Sequence, residues 1–150
     1  MNNKTVMTVV NSADVQAILD IEYDSYHKPL GRAEIENLIR NKSNYSKCVR
    51  NSYTNEIFGY MFYKVNDENG LEIINLTVKP SSRRKNIGRR LISYLTDNKC
   101  WTTIECGVEE RNLTGQLFLK ACGFKCVQTF KDEDGQTVYF FVYSEGQQIK

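Results

Sequence analysis

Histidine is nearly absent from this chain, with only His27 in 150 residues. That excludes a site built on clustered imidazoles, and the cysteines do not take its place. They stand at positions 48, 100, 106, 122 and 126. Their number is odd, the only short spacing is Cys122 to Cys126, and His27 is far away in sequence, so no zinc-ligand pattern forms. Reduced thiols in a cytoplasmic protein are the expectation. No apolar run is long enough to span a bilayer. The opening MNNKTVMTVV lacks the architecture of a signal peptide. Net charge is only +2, so no global field draws the chain to nucleic acid or to a membrane. Repeats, linkers and low-complexity tracts are missing as well. What remains is a length suited to one domain, residues 1–150, with room for a real core.

Hydrophobic periodicity and turn residues divide the chain. Thr5–Val10 reads as a strand. Asn11 or Ser12 caps a helix over Ala13–Tyr26, with Val15, Ile18, Leu19, Glu22 and Tyr26 on one side. Lys28–Gly31 turns into a second helix, Arg32–Arg40. Lys47–Asn51 and Glu56–Val65 form a hairpin, and Asp67–Gly70 turns into the strand Leu71–Val78. A helix follows to about Asn98, then a strand Trp101–Val108 and a helix Arg111–Cys122. Lys125–Lys131 and Gln136–Tyr143 form a last hairpin around Asp132–Gly135. The expected class is mixed α/β with a central, largely antiparallel sheet flanked by helices.

The segment from Ile74 to Leu95 is chemically the richest. Ile74, Leu76 and Val78 alternate with Asn75 and Thr77, and Pro80 ends strand pairing because it has no N–H. Arg83, Arg84, Lys85 and Arg89 then surround Asn86 and Gly88. Ile87, Leu91, Tyr94 and Leu95 recur at helical spacing. A loop whose amides lead into a helix N-terminus is an anion site, and basic side chains add charge at its rim.

This segment resembles motif A of the GNAT superfamily of N-acetyltransferases, usually Gln/Arg-x-x-Gly-x-Gly/Ala after such a strand. Here it reads Arg83-Arg84-Lys85-Asn86-Ile87-Gly88, with Asn86 at the first glycine position. Asn tolerates positive φ better than any residue except Gly. Asn112 to Phe124 is similar to the family's motif B, through Asn112, Gly115, Phe118, Gly123 and Phe124. The order βααβββαβαββ is that of the GNAT fold, and the resemblance covers most of the chain.

The resemblance implies an acetyl-CoA-dependent N-acetyltransferase with no metal, working as monomer or homodimer. It places the pyrophosphate of acetyl-CoA on Arg83, Arg84, Lys85, Asn86, Ile87, Gly88 and Arg89, and the pantetheine arm along Leu76, Thr77 and Val78. Asn112 and Leu119 complete the cofactor-binding set. Leu76 or Val78 would supply the backbone N–H for the oxyanion. The amine must be neutral to attack, so a base is needed. Bacterial ribosomal-protein N-terminal (alanine) acetyltransferases carry a Glu where this chain has Gly107. Glu105, on the same strand face, and Glu109 are the alternatives. The family's usual acid, a tyrosine, is replaced by Leu119, which leaves Tyr139, Tyr143 and Cys122 open.

The first helix is similar to that same branch. Glu22, Tyr26 and the following Pro29 match its pattern, so Glu22 and Tyr26, with Tyr139, are expected to bind the acceptor. The acidic turn Asp132–Asp134 instead suits a small cationic amine such as a polyamine. A catalytically impaired, CoA-binding domain is the third reading, with Leu119 as its motive.

Overall fold

A computed structural model describes residues 4–98 and 101–144; Cys100 and the first three residues lie outside these. Seven strands and four helices follow the expected order. They are β1 (Thr5–Thr8), α1 (Val15–Ser25), α2 (Arg32–Arg40), β2 (Asn44–Asn51), β3 (Ile57–Val65), β4 (Leu71–Val78), α3 (Ile87–Thr96), β5 (Thr103–Glu109), α4 (Leu113–Ala121), β6 (Lys125–Lys131) and β7 (Thr137–Ser144). The strands form one sheet in the order β1-β2-β3-β4-β5-β7-β6. Every pairing is antiparallel except β4 with β5. The class is the mixed α/β, mostly antiparallel one.

The side-chain alternation of β3 explains the layers. Tyr60 and Phe62 join Ile18, Ile21 and Ile35 of α1 and α2 on one face. Met61 and Tyr63 join Leu91, Leu95 and Leu119 of α3 and α4 on the other. A strand buried on both faces reads as a nearly continuous apolar run, and β3 does.

Several boundaries differ from the sequence reading for local reasons. Strand β1 stops at Thr8 because the Val10 N–H turns to Ser46 Oγ, 3.1 Å away. The first helix begins at Val15, after a 3₁₀ turn over Ser12–Asp14. Asn11 caps that turn from Oδ1 to the Ala13 N–H, and Asp14 answers at the Asn11 N–H. Strand β2 starts at Asn44, earlier than its polar sequence suggests, with Tyr45 stacked on Tyr63 at 5.6 Å. Tyr94 does not share the buried face of α3. It is 42% exposed, Ile92 takes the core position, and Lys47 Nζ lies 4.7 Å from the Tyr94 ring.

Ile74 is the largest departure. It does not alternate with Asn75 as one strand face. Phe62 pairs with Asn75 and Tyr63 with Ile73, so Ile74 is an extra residue, a β-bulge. The bulge reverses the parity of β4. Leu71 and Ile73 face the α3/α4 core before it, and Leu76 and Val78 face that core after it.

A buried ion pair ties α1 to the sheet. Arg50 Nη2 lies 2.7 Å from Asp14 Oδ2. Burial alone would raise the Asp14 pKa, but hydrogen bonds from Arg50 and from the Asn11 N–H prevail and hold it below its ordinary value.

Candidate active site

The parallel pairing of β4 and β5 is short. Leu71, Glu72 and Ile73 pair with Ile104, Glu105 and Cys106, and then the strands part. Which backbone groups line the opening follows from antiparallel alternation. On β4, the Lys79 N–H reaches Phe58 O at 2.8 Å, and Thr77 pairs opposite Tyr60. The N–H and C=O of Leu76 and Val78 therefore point away from β3, into the gap. On β5, the Glu110 N–H bonds Thr137 O at 2.9 Å and Gly107 lies opposite Phe140. Gly107 thus turns its own backbone groups toward the same gap. The result is a slot between two strands, edged on both sides by peptide groups that lie outside the strand ladder.

The basic loop closes one end of the slot. Pro80–Ser82 forms a 3₁₀ turn. Arg84 and Asn86 then adopt the left-handed conformation, with φ of 66° and 64°. Asn86 was expected to do so; Arg84 carries no sequence signal for it. The side chain of Asn86 does not cap α3, so the first-turn amides of Ile87, Gly88 and Arg89 have no intrahelical acceptor. Such a turn of alternating hand is an anion nest. Two missing side chains seat it. A Cβ on Gly59 would fall 2.7 Å from Ile87 Cγ2, and one on Gly88 would fall 2.9 Å from Phe118 Cζ. Ile87 is buried on Gly59 and meets a ligand only through its amide, while Arg83, Arg84, Lys85, Asn86 and Arg89 are exposed. Arg83 Nε bonds the Val78 carbonyl at 3.3 Å. The residues present fit an extended, anionic cofactor such as acetyl-CoA: open amides and cations for the phosphates, an open strand edge for an amide-bearing arm.

On the α1 side a polar cluster underlies the slot. Glu22 is only 1% exposed, which corrects its expected role as a direct contact to the acceptor. It accepts from the Leu30 N–H at 2.9 Å, the Tyr60 hydroxyl at 2.5 Å and Asn75 Nδ2 at 3.1 Å. Thr77 Oγ1 bonds Asn75 Oδ1 at 2.8 Å, and the Tyr26 hydroxyl lies 2.7 Å from Thr77 Oγ1 and 3.4 Å from Leu76 O. Tyr26 therefore stands at the slot rim. Burial raises its pKa, more than Thr77 and Arg83 lower it, and Glu22 adds to the rise. Burial and the Glu22 charge push Tyr60 up much further. Thr77, expected to touch the cofactor, is instead buried in this cluster.

The β5 side separates the remaining candidates. Glu105 pairs opposite Glu72, at the closed end. Glu109 ends β5 and is exposed at the open end. Asn112 caps α4, its Oδ1 accepting from the Gly115 N–H at 2.9 Å. Leu119 is 4% exposed and packs in the α3/α4 core; it does not face the slot, contrary to expectation. Tyr139 pairs opposite Val108, level with the opening, whereas Tyr143 pairs opposite Ile104 at the far end and packs on Phe124. Gln116, unremarked in the sequence, is buried and donates Nε2 to Glu109 O and Glu110 O, at 3.2 and 2.8 Å. Cys106, at the vertex where pairing stops, is pushed up to about 12 by burial, with Glu72 adding to it.

The loop after α1 and the β6–β7 turn meet through Lys28 Nζ and Asp134 Oδ2, 3.6 Å apart. Asp132 accepts from its own turn, at the Asp134 and Gln136 N–H groups. Among the described residues no group of His, Cys, Asp or Glu side chains is placed to hold a metal ion, and no helix is long and apolar enough to cross a membrane.

A sequence model described as acetyltransferase (GNAT) family matches residues 15–124. No curated protein sequence matches the chain. Solved structures similar in fold include three relatives. The ribosomal-protein-S18-alanine N-acetyltransferase of Escherichia coli has a TM-score of 0.78 at 15% identity, covering 94% of both chains. Arabidopsis thaliana NAA60 in complex with acetyl-CoA has 0.75 at 16%, covering 95% of this chain and 99% of that one. The spermidine/spermine N-acetyltransferase SpeG of Vibrio cholerae has 0.72 at 16%, covering 97% and 95%.

Proposed function

The chain belongs to the acetyltransferase (GNAT) family of acetyl-CoA-dependent N-acetyltransferases, and from that premise we propose that it acetylates the α-amine of a protein N-terminus. One observation carries the choice of acceptor: besides the β4 edge that suits the cofactor's amide-bearing arm, the peptide groups of Gly107 on β5 face the same slot. An extended peptide has both the N–H and the C=O groups to use such an edge; a polyamine has N–H donors but no C=O.

Acetyl-CoA supplies the activated acyl thioester. The nest at Arg84–Gly88 and the first-turn amides of α3 would hold its phosphates, and the N–H of Val78 or Leu76 would be the donor available to the acyl oxygen. Glu109 is the better placed base. Continued past the bulge, the β4–β5 register sets Leu76 level with Val108 or Glu109, while Glu105 lies roughly 10 Å back beside Glu72. Tyr139, level with Val108, takes the acid's place that Leu119 leaves vacant.

Mass spectrometry on a mixed panel tests the acceptor. Peptides with free N-termini should gain one acetyl group on the α-amine, and N-terminally blocked, lysine-containing peptides should gain none. Faster acetylation of spermidine than of any peptide would assign the slot to polyamines.

A further inference from the structure

The polar cluster beneath the slot has a direction, and that direction determines what the slot can bind. Glu22 is the origin. Its two oxygens face only donors, namely the Leu30 N–H, the Tyr60 hydroxyl and Asn75. Asn75 must turn its amide nitrogen toward Glu22, because its oxygen there would meet a carboxylate oxygen. Asn75 Oδ1 is then left for Thr77, which gives it its one proton across 2.8 Å. Having no proton remaining, Thr77 Oγ1 can only accept from Tyr26, 2.7 Å away. The Tyr26 proton therefore points inward. The carbonyl of Leu76, 3.4 Å from the Tyr26 oxygen, is an acceptor facing the same gap.

We propose that Glu22, Asn75 and Thr77 act as positioning residues that fix Tyr26 as a hydrogen-bond acceptor at the slot rim. Together with the Leu76 carbonyl, Tyr26 forms a two-acceptor cradle for the N–H groups of the attacking amine. This deepens the peptide reading but rests only on the acceptor being an amine. A primary amine keeps two N–H bonds while its lone pair is directed at the acyl carbon, so two acceptors orient it. A group that arrives with only acceptors, such as a carboxylate, finds no donor in the cradle itself. The buried, acceptor-satisfied Glu22 is thus expressed at the rim through two intervening side chains, without touching substrate. Loop placement is coupled to the same origin, since the Leu30 N–H bond holds the α1–α2 connection to Glu22.

Two measurements on the full chain test this. First, the protein carrying carbon-13 at tyrosine Cζ is saturated with CoA and titrated with n-propylammonium, then with tetramethylammonium. The second probe has the same charge and no N–H. The Tyr26 resonance, identified by its loss in Tyr26→Phe, should move with propylammonium and stay with tetramethylammonium. In Thr77→Val, where the phenol proton is released from its inward bond, the propylammonium response should fall, and Thr77→Ser should restore it. No response to propylammonium, or an equal response to both cations, overturns the proposal. Second, with an alanine-starting peptide at saturating acetyl-CoA, Tyr26→Phe and Thr77→Val should each raise the peptide KM about fivefold to tenfold. The double variant should be no worse than either single one, and the acetyl-CoA KM should stay constant. Multiplying effects, or an equal rise in the acetyl-CoA KM, would reduce the cluster to a structural prop. A peptide that is not acetylated at all, alongside a Tyr26 response to propylammonium, removes the peptide reading and leaves the amine cradle standing.

Discussion

Asn86 gives the sharpest test of the cofactor loop. It holds φ at 64° immediately before α3, two residues after Arg84 at 66°. Replacing it by valine puts a β-branched side chain in the left-handed region, which costs about 1–2 kcal/mol or more. The least disruptive escape is rotation of the peptide groups around residue 86. That turns the Ile87 and Gly88 amides away from any bound anion, because neither is held by a side-chain cap. Hydrogen bonds to a charged group are worth roughly 1.5–3 kcal/mol each, so losing two weakens acetyl-CoA by about 3–6 kcal/mol, or two to four decades in Kd. Overall stability should survive, since the strain is small against a typical 5–15 kcal/mol. Asn86→Gly is the matched control: it adopts the same φ without a side chain and should bind as tightly as the parent. Isothermal titration of acetyl-CoA, with circular dichroism to verify folding, gives the answer. If folded Asn86→Val binds within threefold of the parent, the nest is not the phosphate site and the reasoning fails.

Other expectations follow from geometry described above. Glu109→Gln should lower turnover by about 10²–10⁴-fold, with the loss shrinking as pH rises and the free amine becomes neutral; a larger loss in Glu105→Gln would move the base to the closed end of the slot. Asp14 has a folded-state pKa below its unfolded value near 3.8, so its stabilisation is present above that pH and lost as pH falls through and below it. The gap in unfolding free energy between the parent and Asp14→Asn, from urea titrations at stepped pH, should therefore be widest near neutrality and close toward pH 3; a constant gap would refute the linkage. Cys106, held up to about 12, should resist alkylation at pH 8 while exposed Cys126 reacts, as read by peptide mass mapping; equal labelling would contradict the raised pKa.

The order of elements was legible because it rests on local signals. Pro80, the Asp67–Gly70 turn and the apolar spacing of α3 each act within a few residues. Asn86 was legible for the same reason, as a residue that tolerates the left-handed region. Ile74 was not. Its apolar side chain continues the alternation of β4, and only the pairing with Phe62 and Tyr63 shows that it is extra. Glu22 misled in the opposite sense. A carboxylate on a helix normally faces water, and its burial depends on Leu30, Tyr60 and Asn75, which are remote from it in sequence. Leu119 sits where a motif position suggested a cofactor contact, yet its size and apolarity suit the core it occupies. Gln116 gave no sign, since its role is to bond two carbonyls of the loop before α4.

The Lys28–Asp134 pair bears on how the two loops it joins move. Its side chains are 70% and 68% exposed, so it contributes about 0–1 kcal/mol and is screened over a Debye length of about 8 Å at physiological salt. A latch that weak is broken by thermal motion on the timescale of loop movements, nanoseconds to microseconds, far shorter than an ordinary catalytic cycle. The connection after α1 and the β6–β7 turn are thus free to part and rejoin many times within one turnover, and raising the ionic strength shifts that balance toward the parted state.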